Sequence, residues 1–150
     1  MGYYMRFVLT EDSHLDLPTI ESALQAHDSQ YHLQIEEGAK TPSADLYFGN
    51  DLYAELEINR PGDGTFDEEL EELLEFLEDA GDGARQRVEE SLSGAKAIIA
   101  VRVLWQDRDT EETLDKIDPL WVWLFETREG LLQADGEGYY DRTGLVLSVE

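Results

Sequence analysis

Ala95-Lys96-Ala97-Ile98-Ile99-Ala100-Val101-Arg102-Val103-Leu104-Trp105 is the strongest strand signal in the chain. From Ala97 to Val101 both alternating sets of side chains are apolar, the pattern of a strand covered above and below rather than washed on one side. Such a strand belongs in the middle of a sheet with helices packed on it.

Helical periodicity flanks this stretch on both sides. Upstream, Phe66, Leu70, Leu73, Leu74 and Leu77 mark one face of a helix expected over Asp67–Ala80 and stopped by Gly81, while Glu68, Glu69, Glu71, Glu72, Glu75, Glu78 and Asp79 cover the other. Like charges four residues apart cost about 0.2–0.5 kcal/mol per pair, so the leucine face must hold this helix. A shorter helix follows, with Ala84, Val88 and Leu92 inward, an Arg85–Glu89 pair outward and Gly94 at its end.

Downstream lies Asp118-Pro119-Leu120-Trp121-Val122-Trp123-Leu124-Phe125, the most apolar helix-like segment of the chain. Asp118 suits an N-cap, Pro119 the first helical position, and Gly130 a left-handed stop. Asp109, Thr110 and Glu112 offer a capping arrangement for the helix that leads into it. Leu114, Ile117, Trp121, Leu124 and Phe125 make the expected core stripe, leaving Val122 and Trp123 on the back, under a neighbouring element or facing a partner.

At the amino end, Tyr3 to Thr10 reads as an interior strand, and Asp16 caps a short helix with Pro18 in its first turn and Ile20, Ala23, Leu24 and His27 on one face. Tyr31, Leu33 and Ile35 form a strand with one wet face, and residues 37–43 a loop. Gly49-Asn50 then joins Ala44, Leu46, Phe48 to Ala54, Leu56, Ile58 as a tight hairpin, with Tyr53, Glu55 and Glu57 outward. Residues 131–134, 137–141 and 145–149 read as three short strands separated by glycine-rich turns.

Met5-Arg6-Phe7-Val8-Leu9-Thr10-Glu11 and Val101-Arg102-Val103-Leu104-Trp105-Gln106-Asp107 share a pattern: apolar, arginine, three apolar, polar, acid. Both are followed by a proline-started helix, at Pro18 and Pro119. The expectation is one α+β domain over residues 1–150 with a mostly antiparallel sheet and packed helices. It divides into two β-α-β-β halves, 1–59 and 95–150, around a helical insertion at 66–93, although two unrelated strands would produce so short an echo equally well.

The chain has 150 residues, enough for a core without disulfides or metals, and no cysteine, which removes thiol chemistry and suits a reducing cytoplasm. The amino end carries no signal-peptide pattern, and the longest apolar run is too short to span a bilayer. Eleven lysines and arginines against 35 acids give a net charge of -24, which argues against nucleic-acid or anionic-membrane binding. Plain solubility accounts for this acidity, as do adaptation to a salty cytoplasm and a surface that docks a basic protein partner.

Signals for chemistry are sparse. His14, His27 and His32, with Asp16 and Asp28, are the residue types of a metal or acid–base site, but their spacing matches no zinc-enzyme pattern. Asp135, Glu137, Tyr139 and Asp141 alternate as at the start of a calcium loop, without its glycine or its final glutamate. Arg6 and Arg102, placed by the echo on equivalent strands, either pair with internal carboxylates or jointly hold an anion. No cofactor is implied.

The functional expectation is therefore a soluble, non-enzymatic protein that binds a basic protein, by class-level analogy an antitoxin or immunity-type inhibitor. Its contact surface would join Trp123, Tyr139 and Tyr140 to the acidic helix residues Glu68, Glu71, Glu72 and Glu75. The alternative is a small-ligand or metal-binding domain, catalytic or not, using Arg6 and Arg102 or the histidines.

Overall fold

The computed structural model describes residues 3–11, 15–38, 41–62, 64–77, 85–135 and 137–148. Within them the order is β1 (Tyr3–Leu9), α1 (Leu17–His27), β2 (Tyr31–Ile35), β3 (Ser43–Phe48), β4 (Asp51–Asn59), α2 (Gly64–Leu77) and α3 (Arg85–Ser93). Then come β5 (Ala97–Val103), α4 (Thr110–Thr127), β6 (Gly130–Ala134), β7 (Gly138–Asp141) and β8 (Gly144–Ser148). The strands form one sheet in the order β2-β3-β4-β5-β1-β6-β7-β8, and every neighbouring pair is antiparallel. The chain is thus a single α+β domain.

β5 is interior, between β4 and β1, as its two apolar faces require. The period-2 alternation of β1 and β5 sorts the core into two layers. Phe7, Leu9, Ile99 and Val101 pack with Ile20 and Leu24 of α1 and with Ile117, Leu120, Trp121 and Leu124 of α4. Val8 and Ile98 point the other way, toward Phe66, Leu73 and Leu77 of α2 and Val88 and Leu92 of α3. Helices therefore lie on both faces of the sheet, one pair to each. Each of α1 and α4 follows a central strand, and each is followed by a three-stranded meander.

Local chemistry explains most boundaries. Asp16 caps α1 by accepting from the Thr19 N–H at 2.9 Å. Gly49 takes φ +64 at the first position of the two-residue β3–β4 turn, where an L side chain would be strained. Gly94 closes α3 by donating its N–H to the Glu90 carbonyl at 3.0 Å.

Three expectations need correction. α4 runs from Thr110 without a break, so Asp118 caps nothing and Pro119 lies inside the helix. The buried stripe Thr113, Ile117, Leu120, Trp121, Leu124 continues through the proline and offsets its missing hydrogen bond, a local cost of about 3 kcal/mol. Gly130 does not end the helix in a left-handed turn. It opens β6 against β1, where an added Cβ would stand 2.1 Å from the Val8 carbonyl oxygen. Tyr53, read as outward, is buried, with the Arg108 guanidinium 3.8 Å above its ring. Ala80, Gly81 and Ala84 lie outside the described residues.

α2 is fastened by one of its own glutamates. Glu69 accepts from Arg6 Nε at 2.6 Å, while Arg6 Nη1 reaches Gln133 Oε1 at 2.8 Å and Asp135 Oδ1 at 2.9 Å. Asn59 Nδ2 donates to the second oxygen of Glu69 at 3.3 Å. Both members of the Arg6–Glu69 pair are largely buried, so removing Arg6 leaves Glu69 without a counter-charge and removing Glu69 leaves Arg6 with the more exposed Asp135 alone. Urea titration of Glu69→Ala should show a loss of about 3 kcal/mol, whereas Glu72→Ala on the exposed side should stay within about 0.5 kcal/mol of the parent. Gly130→Ala should lower the urea midpoint by overpacking the β1–β6 contact, at a cost of about 1–3 kcal/mol.

Candidate functional site

The two helix pairs leave different parts of the sheet uncovered. On the α2–α3 side, a depression of about 410 Å³ over β2–β5 is lined by polar groups that include Gln34, Asp45, Glu55, Glu57 and Arg102. Burial, with Glu55 and Glu36 nearby, raises the Asp45 carboxyl above its ordinary value. Arg102 donates to Glu55 at 2.9 Å, both half in solvent. This is the wet face expected of an antiparallel sheet.

The opposite face behaves differently. Between α4 and β6–β8 runs a groove of about 730 Å³ whose walls include Met5, Trp121, Val122, Phe125, Leu132 and Tyr140. Trp121 stacks on Phe7 at 6.5 Å, and Phe125 meets the same ring edge-on at 5.0 Å, so the aromatic wall is braced from beneath. Val122, 55% exposed, stands on the helix bank, and Leu145, 57% exposed, pairs across β7–β8 with Tyr140. Large apolar side chains left in water around a concave surface are what binding sites expose.

Four carboxylates rim this groove: Asp118 and Glu126 on α4, Glu137 and Asp141 on the strand side. Glu137 accepts from both the Tyr3 hydroxyl, at 2.6 Å, and the Tyr140 hydroxyl, at 2.7 Å. Burial and then the bond to Glu137 raise the Tyr3 phenol well above its ordinary value, and for Tyr140 the bond to Glu137 is the main cause. Both phenols therefore stay neutral donors that hold the Glu137 side chain in place. At the other end Arg142 donates to the Phe125 carbonyl in the last turn of α4, tying the β7–β8 turn to the helix. The site can accept hydrogen bonds, attract a cation and bury an apolar group.

The residues singled out from sequence do not form one surface. Trp123 is half-buried on the α1 side of α4, with Arg128 over its ring at 5.3 Å, and lines a neighbouring depression with Ala23 and His27 that shares Asp118, Val122 and Glu126 with the groove. Tyr140 lines the groove, but Tyr139 is only 2% exposed in the layer beneath α2 and α3. Glu68, Glu71, Glu72 and Glu75 are exposed on α2, across the sheet from Trp123 and Tyr140.

Arg6 and Arg102 share a face of the sheet with Tyr4 between them, and each is engaged by carboxylates. His27 and His32 are exposed, the latter stacked on Tyr47 at 4.9 Å, and His14 lies outside the described residues. Among the described residues no group of three or more histidines and acids is placed to hold a metal ion, and no helix is long and apolar enough to cross a membrane.

Sequence reading missed the groove's strand-side residues Tyr3, Met5 and Leu132, and weighed Glu137 only for a calcium loop; they meet α4 only once β1, β6 and β7 are aligned. The hint was present in Val122, apolar on the back of a helix whose core stripe was already complete.

Asp141 gives the site a pH signature. It accepts from the Thr143 hydroxyl at 2.6 Å and the Thr143 N–H at 2.8 Å, and pairs with Arg87 at 2.9 Å. The Thr143 hydroxyl is the largest cause that lowers its carboxyl from 3.8 to about 2. A depressed carboxylate stabilises the fold fully above its unfolded value, and that contribution disappears as pH falls through the folded one. Melting temperature should therefore fall between about pH 4 and pH 2, and Asp141→Asn should flatten that part of the profile.

The chain matches no family model, no curated protein and no solved structure, so its function is argued from this geometry.

Proposed function

We propose that this is a protein-binding module and that the groove between α4 and β6–β8 receives a segment of a basic partner, with lysine or arginine beside apolar side chains. The observation that carries the reading is the pairing of an apolar wall, Trp121, Val122, Phe125 and Leu132, with a rim of four carboxylates and one arginine. An apolar segment alone would leave the rim without counter-charge, and a purely basic one would leave the wall in water. A net charge of -24 adds long-range attraction for a basic partner and raises the rate of encounter. An acidic inhibitor that occupies a basic protein would work by this route.

Isothermal titration with a leucine–lysine peptide of about 16 residues, long enough to fold on contact, tests the reading. Binding should weaken as salt rises, because the rim charges become screened. Val122→Arg places bulk and like charge at an exposed position, and should reduce affinity by about tenfold or more with little change in melting temperature. Glu72→Lys, across the sheet, should change affinity by less than about twofold. Equal binding to the parent and to Val122→Arg would remove the groove from the interaction.

A further inference from the structure

We infer that the partner segment enters this groove as an amphipathic α-helix of about three turns, its apolar stripe flanked on both sides by lysine or arginine. The inference rests on the protein-binding reading of the groove and specifies the form its occupant takes. Three independent features lead to it.

The first is how charge is distributed across the groove. Acids stand on both banks, Asp118 and Glu126 on the helix and Glu137 on the strand side, where Asp141 is already paired with Arg87, with apolar side chains between them. A β-strand has two faces, so one that buries apolar side chains in the trough sends its alternate cations straight away from it. A helix with an apolar stripe carries neighbouring positions sideways, toward both banks at once. Only the helical pattern brings cations to the acids of both banks while filling the floor.

The second is length. The lining residues of α4 extend from Leu114 to Glu126, which is about 18 Å at ~1.5 Å per residue and equals three to four turns of a helix laid alongside.

The third is the state of the sheet edges. Strand addition needs a free, regular edge. At β2 the outward main chain is already occupied by α1: Glu21 accepts the Leu33 N–H at 2.7 Å, and Gln25 Nε2 donates to the Tyr31 carbonyl at 3.1 Å. β8, at the other edge, is five residues long and its register against β7 shifts at Val146, a bulge that bends the pairing line. Both edges thus disfavour a ninth strand. A second copy of this chain is disfavoured by charge, since it would bring another acidic rim and another net -24 to the same place.

Two peptides of identical leucine and lysine content test the inference, one with leucines at helical spacing and one with strict alternation. The helical pattern should bind about tenfold or more tightly, and far-ultraviolet circular dichroism should show helix gained on mixing. Glu126→Gln on one bank and Glu137→Gln on the other should each weaken binding by about two- to fivefold, as exposed ion pairs do.

Tighter binding of the alternating peptide, binding without helix gain, or dependence on one bank alone would overturn the helical occupant and leave the groove reading intact. If neither peptide binds, the groove reading falls and this inference with it. A dimer in sedimentation equilibrium that Val122→Arg dissolves would place a second copy in the groove and overturn the inference as well.

Discussion

An eight-stranded sheet is wider than two helices can cover. Neighbouring strands lie about 4.8 Å apart, so the sheet spans roughly 34 Å, while a helix with its side chains is about 10–12 Å across. One pair of helices therefore leaves roughly a third of each face bare. The two pairs are offset, so the bare regions lie at opposite ends: β2–β4 beneath the α2–α3 side and β6–β8 beneath the α1–α4 side. Composition then decides what each is for. The first is furnished mainly with Gln34, Asp45, Glu55 and Arg102, beside a single partly exposed isoleucine, Ile35. The second exposes Val122 and an aromatic wall, with Leu145 open on the adjoining strand, and it is this difference that marks a site.

The excess of carboxylates is less uniform than composition suggests. Glu69 faces the sheet and holds Arg6, Asp135 holds Arg6 from the β6 side, and Asp141 ties a turn of the sheet to Arg87 of α3. These acids are structural, each bound to a partner from a distant part of the chain. Glu68, Glu71, Glu72 and Glu75 are solvated and occupy the face away from the groove. Long-range attraction of a basic partner draws on all of them, whereas contact in the groove draws on the few that rim it.

Much of the architecture was legible because its causes are local. Alternation in β1 and β5, the Asp16 cap and the Gly49-Asn50 turn each depend on a handful of neighbouring residues, and the central place of β5 followed from apolar character on both of its faces. A second helix start was read inside α4 because Asp118-Pro119 carries every mark of a helix beginning, and only the buried stripe on either side of it shows that the helix that began at Thr110 was still under way. Tyr139 and Tyr140 look equivalent in sequence, but in a strand adjacent side chains take opposite faces, and register alone decides which one meets solvent. Gly130 was assigned to the right place for the wrong reason, since its closest neighbour, the Val8 carbonyl, is distant in sequence. The groove was invisible for the same cause, its two walls being brought together by strand order rather than by spacing.

That strand order also bears on how the molecule is made. β1 is made before the other described strands, yet among the described residues it pairs with β5 and β6, so its ladder cannot close until residue 134 has been synthesised. For most of translation Phe7, Val8 and Leu9 are an aliphatic segment without a home, and the β2–β4 meander can form long before the seam that unites the two ends of the chain. The sheet is then completed by capture of β1 between two strands made much later, and a nascent chain stalled before β6 would leave one side of β1 open to whatever chaperone or protease is near.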